Sequence, residues 1–167
     1  MFTKEGIGIR STARILRIST TTLLKRIVAI AKNINRPIIS KGKTYEVDEM
    51  RTFVKRKDKL VWLAYALEKE TKNVVSFSVG KRTNRTLHAA TKTLELSGAK
   101  KIYTDGLRNY SSLVPSGLHV VKQFETNHIE RKNLTLRIHL KRLNRRTLCF
   151  SRSLFILNSV LKIYFCI

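Results

Sequence analysis

Acidic residues are scarce in this chain: 11 Asp and Glu stand against 34 Lys and Arg, a net charge of +23 in 167 residues. A surface so one-sided repels itself unless an anion compensates it. Nucleic acid is the usual partner, because each neutralised phosphate releases a counterion. A membrane surface and a ribosomal RNA context are the alternatives. Cysteine is also scarce. Cys149 and Cys166 have neither CxxC spacing nor a paired histidine, which argues against a zinc site and makes a reduced, cytosolic setting the default. The N-terminal stretch MFTKEGIGIR has no apolar signal core. The longest apolar run, Ser153 to Ile167, is broken by Asn158 and Lys162 and is too short to span a bilayer, so it reads as a buried or subunit-interface helix with no membrane partner. What is abundant is apolar residues, at 43%. That excludes a disordered tail, and 167 residues suffice for one domain with a real core plus a small appendage.

Residues 1–34 read as a partial helix-turn-helix. A first helix runs from Ile9 to Leu16, Arg17-Ile18-Ser19 forms the joint with Ser19 as N-cap, and a second helix runs from Thr20 to about Asn33. Ala13, Leu16, Ile18, Leu23 and Ile27 are the expected inward positions. Thr20, Thr21, Lys25 and Lys32 form the polar face that would meet DNA in the major groove. The joint commonly carries Gly, since one residue there takes positive φ; Arg17 in that place costs about 1 kcal/mol. There is little room before Gly6 for a supporting helix. Residues 35–43, with Pro37 and Gly42, form a linker.

From residue 44 to residue 167 the pattern changes to strands and helices. Lys43 to Val54, Leu60 to Leu67 and Asn73 to Val79 read as three strands with short polar joints, hence antiparallel neighbours. The run LVWLAYAL suits a strand buried on both faces. Thr83 to Ser97 reads as a helix with Leu87, Ala90, Thr91 and Leu94 inward and Gly98 just past its end. Lys100 to Thr104 and Leu118 to Lys122 are further strands. Ile129 to Leu143 is a basic amphipathic helix with Leu134, Ile138 and Leu136 as its packed stripe, and Ser151 to Phe165 is the last helix. The order βββ-α-β-α-β-α predicts an α/β protein: a ribonuclease H-like mixed five-stranded sheet with helices on both faces.

With so few acids, each one is informative. Asp48 lies mid-strand, Asp105 ends the fourth strand before a Gly, and Glu130 lies in the first turn of the basic helix. Carboxylates from three elements of such a sheet could converge on hard divalent cations, which prefer oxygen ligands. Two such ions can activate an attacking hydroxyl and stabilise a leaving oxygen on phosphorus. Each residue also has an ordinary role: Asp48 in an acidic patch with Glu46 and Glu49, Asp105 as a turn former, Glu130 as complement to a helix dipole. Glu49 is the substitute for Asp48, because strand neighbours point to opposite faces and only one of the two should serve. Arg131, Lys132, Arg137, Lys141, Arg142, Arg145 and Arg146 put seven positive charges into 16 residues, a phosphate-gripping pattern.

The motifs YEVDE (45–49), VVSFSVGKRT (74–83), YTDG (103–106), TNHIERKNLTLRIHLKRLNRRT (126–147) and CFSRS (149–153) resemble transposases of the insertion sequence 1 family over essentially the whole chain from the helix-turn-helix onward. The 24 residues between Asp105 and Glu130 match the short spacing of that family. The resemblance implies that Asp48, Asp105 and Glu130 are a DDE triad, with Arg137, seven residues after Glu130, holding a phosphate near it. It implies Mg²⁺ or Mn²⁺ as cofactor, double-stranded DNA (terminal inverted repeats and target) as partner, a homo-oligomer on DNA, and a prokaryotic, nucleoid-associated cytoplasmic setting. Members of the family carry a Cys-rich zinc-binding segment ahead of the helix-turn-helix. This sequence shows none, and so resembles the downstream reading frame, or a fragment, of a product that the family makes by frameshifting. The expected activity is metal-dependent strand cleavage and transfer. The alternatives are a non-transposing DNA-binding repressor and a different nuclease on the same fold.

Overall fold

The computed structural model describes residues 5–35, 37–122 and 124–166. Residues 1–4 of the helix-turn-helix segment, Arg36 of the linker and Ile167 of the apolar run lie outside the described residues. Along the chain the elements are α1 (Ile9–Ile15), α2 (Thr20–Asn33), β1 (Thr44–Phe53), β2 (Leu60–Glu68), β3 (Val74–Gly80), α3 (Asn84–Leu96), β4 (Lys101–Thr104), α4 (Arg108–Leu113), β5 (His119–Val121), α5 (Asn127–His139), a 3₁₀ turn (Lys141–Leu143) and α6 (Leu154–Cys166). They fall into two compact units, one of residues 36–51 and 61–133, the other of residues 1–35, 52–60 and 134–167.

The five strands form one sheet in the order β3-β2-β1-β4-β5. β2 and β3 are antiparallel, whereas β1–β4 and β4–β5 are parallel. β1 is therefore central, and this is the ribonuclease H-like order that the alternation of elements predicted. Side chains alternate across β1 and β2. Tyr45, Val47, Ala64 and Ala66 join Leu87, Ala90 and Leu94 of α3 and Tyr110 of α4 in one buried cluster. On the other face Glu46, Asp48 and Tyr65 hydrogen-bond to α5. The sheet thus has α3 and α4 on one side and the start of α5 on the other. The helix between the fourth and fifth strands, foreseen in the order but not located, is α4.

α3 follows expectation closely. Thr83 caps it by accepting the Thr86 N–H, and Leu87, Ala90, Thr91 and Leu94 are all buried. Gly98 ends it with φ +63°, the left-handed geometry that glycine adopts without a Cβ penalty.

In the other unit, α1 and α2 meet at the expected joint. Ser19 accepts the Thr22 N–H at 3.0 Å, and Arg17 does take a positive φ of 52°. Ala13, Leu23 and Ile27 are buried, but Leu16 is 42% exposed, because it is the C-cap of α1 and has already left the helix face. α2 packs on α6, whose Leu157, Val160, Leu161 and Ile163 are buried. The packed stripe of α5 also differs from expectation. Leu134 and Ile138 are 58% and 65% exposed, whereas Leu136, Leu140 and Leu143 are buried. Two positions along a helix turn by roughly 200°, so choosing Leu136 for the interior sends Leu134 and Ile138 to solvent. Beyond His139 the chain leaves α geometry at Leu140 (φ −111°, ψ 85°), which re-phases Leu143 onto the same side.

Two substitutions should move stability in opposite directions. Gly98→Ala meets no atom within 4 Å, so it probes the backbone alone and should cost about 1 kcal/mol. Arg17→Gly relieves the same strain and should add about 0.5–1 kcal/mol. Thermal unfolding of the two variants beside wild type checks this, and shifts of the same sign would refute it.

Candidate active site

β1 and β4 lie side by side in parallel register, pairing Thr44 with Lys101, Tyr45 with Ile102 and Glu46 with Tyr103. Carried two residues further, that register sets Asp48 beside Asp105, the first residue past the end of β4. Asp48, Glu49 and Asp105 each bring a carboxylate oxygen within 4.8 Å of the others, the only such acidic group among the described residues. Parallel pairing is thus what gathers acids that are 57 positions apart in the chain.

Both Asp48 and Glu49 take part, against the expectation that strand neighbours exclude each other. Asp48 folds back along its own strand, its Oδ1 accepting the Glu49 N–H at 2.7 Å, and this carries its carboxylate toward that of Glu49. The two acids are nevertheless not equivalent. Glu49 is buried and committed: Oε1 accepts two hydrogen bonds from Arg82 (Nε at 3.0 Å, and an Nη), and Oε2 accepts the Tyr110 hydroxyl at 2.9 Å. The Arg82 guanidinium also lies 4.4 Å from the centre of the Trp62 ring, a cation–π contact that restrains it. Burial, and then the Glu49 charge, hold the Tyr110 hydroxyl well above its ordinary pKa, so it stays a donor.

Among the described residues, the donors to Asp48 are neutral: the Glu49 amide and Asn133, whose Nδ2 donates to Oδ2 at 2.6 Å. Burial first, then the nearby charges of Asp105 and Glu49, push its carboxyl up to about 6 against those two hydrogen bonds. Asp105 is exposed, and its Oδ1 accepts the Leu107 N–H at 3.2 Å. Among the described residues no ion pair involves Asp48 or Asp105. Hard oxygen donors with uncompensated negative charge are what a divalent cation of the Mg²⁺ or Mn²⁺ class requires, so the residues fit such an ion.

Glu130 lies outside this cluster. It is exposed, and its Oε1 accepts the Thr126 hydroxyl at 3.0 Å. It is nonetheless one helical turn from Asn133, which binds Asp48, so Glu130 projects from the part of α5 docked beside the acids. That docking depends on residues that sequence reasoning missed. Glu46, with 0% exposure, accepts the Ile129 N–H at 2.8 Å and pairs with His128 Nδ1 at 2.6 Å. The buried Tyr65 hydroxyl lies 3.1 Å from the Ile129 carbonyl and 3.0 Å from Asn133 Oδ1. The available signals were Glu46 two residues before Asp48, on the same strand face, and Asn133 three residues after Glu130.

The basic candidates divide by exposure. Thr20, Thr21, Lys25 and Lys32 are exposed on α2, and Arg131, Lys141, Arg145 and Arg146 are exposed further on. Lys132 and Arg137 are half-buried. Arg137, Lys141 and Arg146 line an open groove of about 500 Å³ together with Leu134, Ile138 and Leu148. Arg142 is drawn inward: its Nη1 donates to Ser151 Oγ at 3.1 Å, and burial lowers its pKa.

The sequence model described as IS1 transposase matches residues 43–167. The chain belongs to the IS1 transposase family. Its relatives include the insertion element iso-IS1n protein InsB of Shigella dysenteriae, 38% identical over 108 residues that cover 65% of this chain and 82% of that protein. Another is the insertion element IS1 2 protein InsB of Escherichia coli K12, 40% identical over 108 residues and 65% of each chain. The matched stretch thus spans about two thirds of the E. coli protein's length. Among solved structures, a chain from the cryo-EM structure of the simian T-cell lymphotropic virus intasome in complex with PP2A regulatory subunit B56 gamma gives a TM-score of 0.45 at 19% identity, covering 78% of this chain and 55% of that one. A likeness at that level assigns nothing. No helix of the described residues is long and apolar enough to cross a membrane.

The raised Asp48 pKa gives this IS1-family protein a signature in stability. A carboxyl whose folded pKa exceeds its unfolded one contributes stability below the unfolded value of 3.8, and that contribution is lost as pH rises through about 6. In metal-free buffer, the stability of Asp48→Asn relative to wild type should therefore improve between pH 4 and pH 7. Chemical denaturation in EDTA measures it, and a pH-independent difference would contradict it. Arg82→Ala leaves the buried Glu49 without its cation and should cost about 2–3 kcal/mol, less than a fully buried pair because Arg82 is half-exposed.

Proposed function

We propose that this chain is the catalytic part of a DDE transposase, cleaving DNA strands at the terminal inverted repeats of an insertion sequence and transferring them to target DNA. The observation that carries this reading is the meeting of Asp48 and Asp105 at the end of the parallel β1–β4 pair, in a chain of the IS1 transposase family. Asp48 and Asp105 would hold Mg²⁺ or Mn²⁺, with Glu130 supplying the third carboxylate from α5. Glu49 is already committed to Arg82 and Tyr110 and serves as a fixed neighbour. A metal held there would supply Lewis-acid chemistry, lowering the pKa of an attacking hydroxyl and offsetting charge on a leaving oxygen at phosphorus.

The chain's own residues have separable tasks. Asn133 and the Glu49 amide orient Asp48. Arg137 would contact the phosphate that reacts, while Arg131, Lys132, Lys141, Arg145 and Arg146 would bind flanking phosphates as double-stranded DNA lies along α5. Thr20, Thr21, Lys25 and Lys32 would read or anchor the repeat from α2. Two DNA ends must be joined to one target, which calls for a homo-oligomer on DNA, working at the nucleoid of a prokaryotic cytoplasm. The position of Glu130 outside the carboxylate cluster favours a second reading, in which the chain occupies the inverted repeats and represses without cutting.

The two readings separate in a cleavage assay on a duplex carrying the element's own terminal repeats. The DDE reading expects Mg²⁺-dependent cutting that Asp105→Asn lowers by about 100-fold or more while affinity is kept or tightened. Binding without cutting in wild type would establish the repressor. Neutralising Lys25 or Lys32 should weaken binding and flatten its salt dependence by about one unit of slope for each phosphate no longer neutralised. Arg137→Ala should slow cleavage much more than it weakens binding; equal losses would make Arg137 one more phosphate anchor.

A further inference from the structure

Glu46 is the one carboxylate of β1 that neither the acidic cluster nor DNA binding uses. It is completely buried, and taking a carboxylate out of water is costly unless its hydrogen bonds are fully met. They are met by α5. The N–H groups in the first turn of a helix have no partner within the helix, and that end carries the positive pole of the helix dipole. Glu46 Oε2 accepts one of those orphan N–H groups, that of Ile129, at 2.8 Å, while Oε1 pairs with His128 in the same turn at 2.6 Å. A residue from the central strand thus caps a helix that begins 81 positions later in the chain. One turn further on, Tyr65 of β2 bonds the Ile129 carbonyl and Asn133, and Asn133 donates to Asp48. The path from Glu46 to Asp48 is therefore closed by hydrogen bonds: strand, helix first turn, neighbouring strand, helix second turn, and back to the same face of the same strand.

We propose that Glu46 is a positioning residue of the active site. Its buried carboxylate sets the height and rotation of the first two turns of α5 against β1, and so fixes where Asn133 holds Asp48 and where Glu130 projects. It touches neither metal nor substrate. The inference rests on the DDE reading only for the consequence in cleavage; the placement of α5 can be measured without it.

The test uses the full 167-residue chain as wild type, Glu46→Ala, Glu46→Gln and His128→Asn, each checked for native circular dichroism. Amide hydrogen exchange over residues 127–133 reads the seating of α5. Titration with Mn²⁺ alone reads the carboxylate site, and the terminal-repeat duplex reads affinity and cleavage. Glu46→Ala is expected to speed exchange in this segment by about tenfold or more and to weaken Mn²⁺ binding about tenfold. It should slow cleavage by about 100-fold, as misplacement of about 1 Å does, with DNA affinity changed by less than about threefold. Glu46→Gln keeps an oxygen for the Ile129 N–H and should recover most of each loss. His128→Asn removes one of the two bonds and should fall between. If Glu46→Ala does not fold, Glu46→Gln and His128→Asn carry the same comparison. Wild-type exchange over residues 127–133 in Glu46→Ala would overturn the proposal, as would Glu46→Gln behaving no better than Glu46→Ala in a folded protein. A wild-type chain that neither binds Mn²⁺ nor cleaves would sink the DDE reading instead, and the exchange comparison would still decide the role of Glu46.

Discussion

Mutual repulsion among carboxylates on the central strand is the constraint around which the unit holding the five-stranded sheet is organised. Glu46, Asp48 and Glu49 crowd three acids into four positions of β1, and parallel pairing adds Asp105 beside them. The fold answers each one differently. Glu46 meets the positive end of α5 and His128. Glu49 meets a guanidinium and a phenol. Asp48 meets two neutral donors, which orient it but leave its charge in place. Two acids are neutralised by the protein and two are left for something else to neutralise. The distribution of partners, more than the acidity as such, separates the scaffold from the site.

The same division of charge connects the site to the rest of the chain. Positive charge is plentiful, yet the described residues send none of it to Asp48 or Asp105. It is spread over α2, over α5 and over the segment that follows. A polyanion drawn to that surface would face repulsion at the carboxylates themselves, and a divalent cation would relieve both charges at once.

The elements were largely legible in the sequence because their signals are local. The Thr83 cap, the inward spacing of Leu87, Ala90 and Leu94, the glycine at 98 and the apolar run of β2 each depend on neighbours within one turn or strand. Asp48 and Asp105 were legible for a different reason: acids are so few that any one at a strand end stands out. What stayed hidden depended on contacts across the sheet. The roles of Arg82 and Tyr110 exist only because β3 ends, and α4 begins, near Glu49. The stripe of α5 was misassigned because period alone cannot choose between Leu134–Ile138 and Leu136–Leu140. The choice follows the side on which Ile129 is buried, two turns before the buried Leu136. Glu46 itself, ranked as one acid in a patch, is the most deeply buried member of that patch.

Trp62 is the sole tryptophan of the chain, and the cation resting on its ring is the one that neutralises Glu49. The indole is therefore wired to the acidic cluster by a single side chain. Any event that draws Glu49 away from Arg82 frees the guanidinium to shift on the ring and changes the polarity that the indole senses. Tryptophan emission thus becomes an intrinsic optical gauge of how the cluster shares its charge. A spectrum that follows a Mg²⁺ titration would mean that Glu49 changes partners when the ion binds; one that stays constant while Mg²⁺ binds by an independent measure would mean that the Glu49–Arg82 pair is a rigid wall of the site.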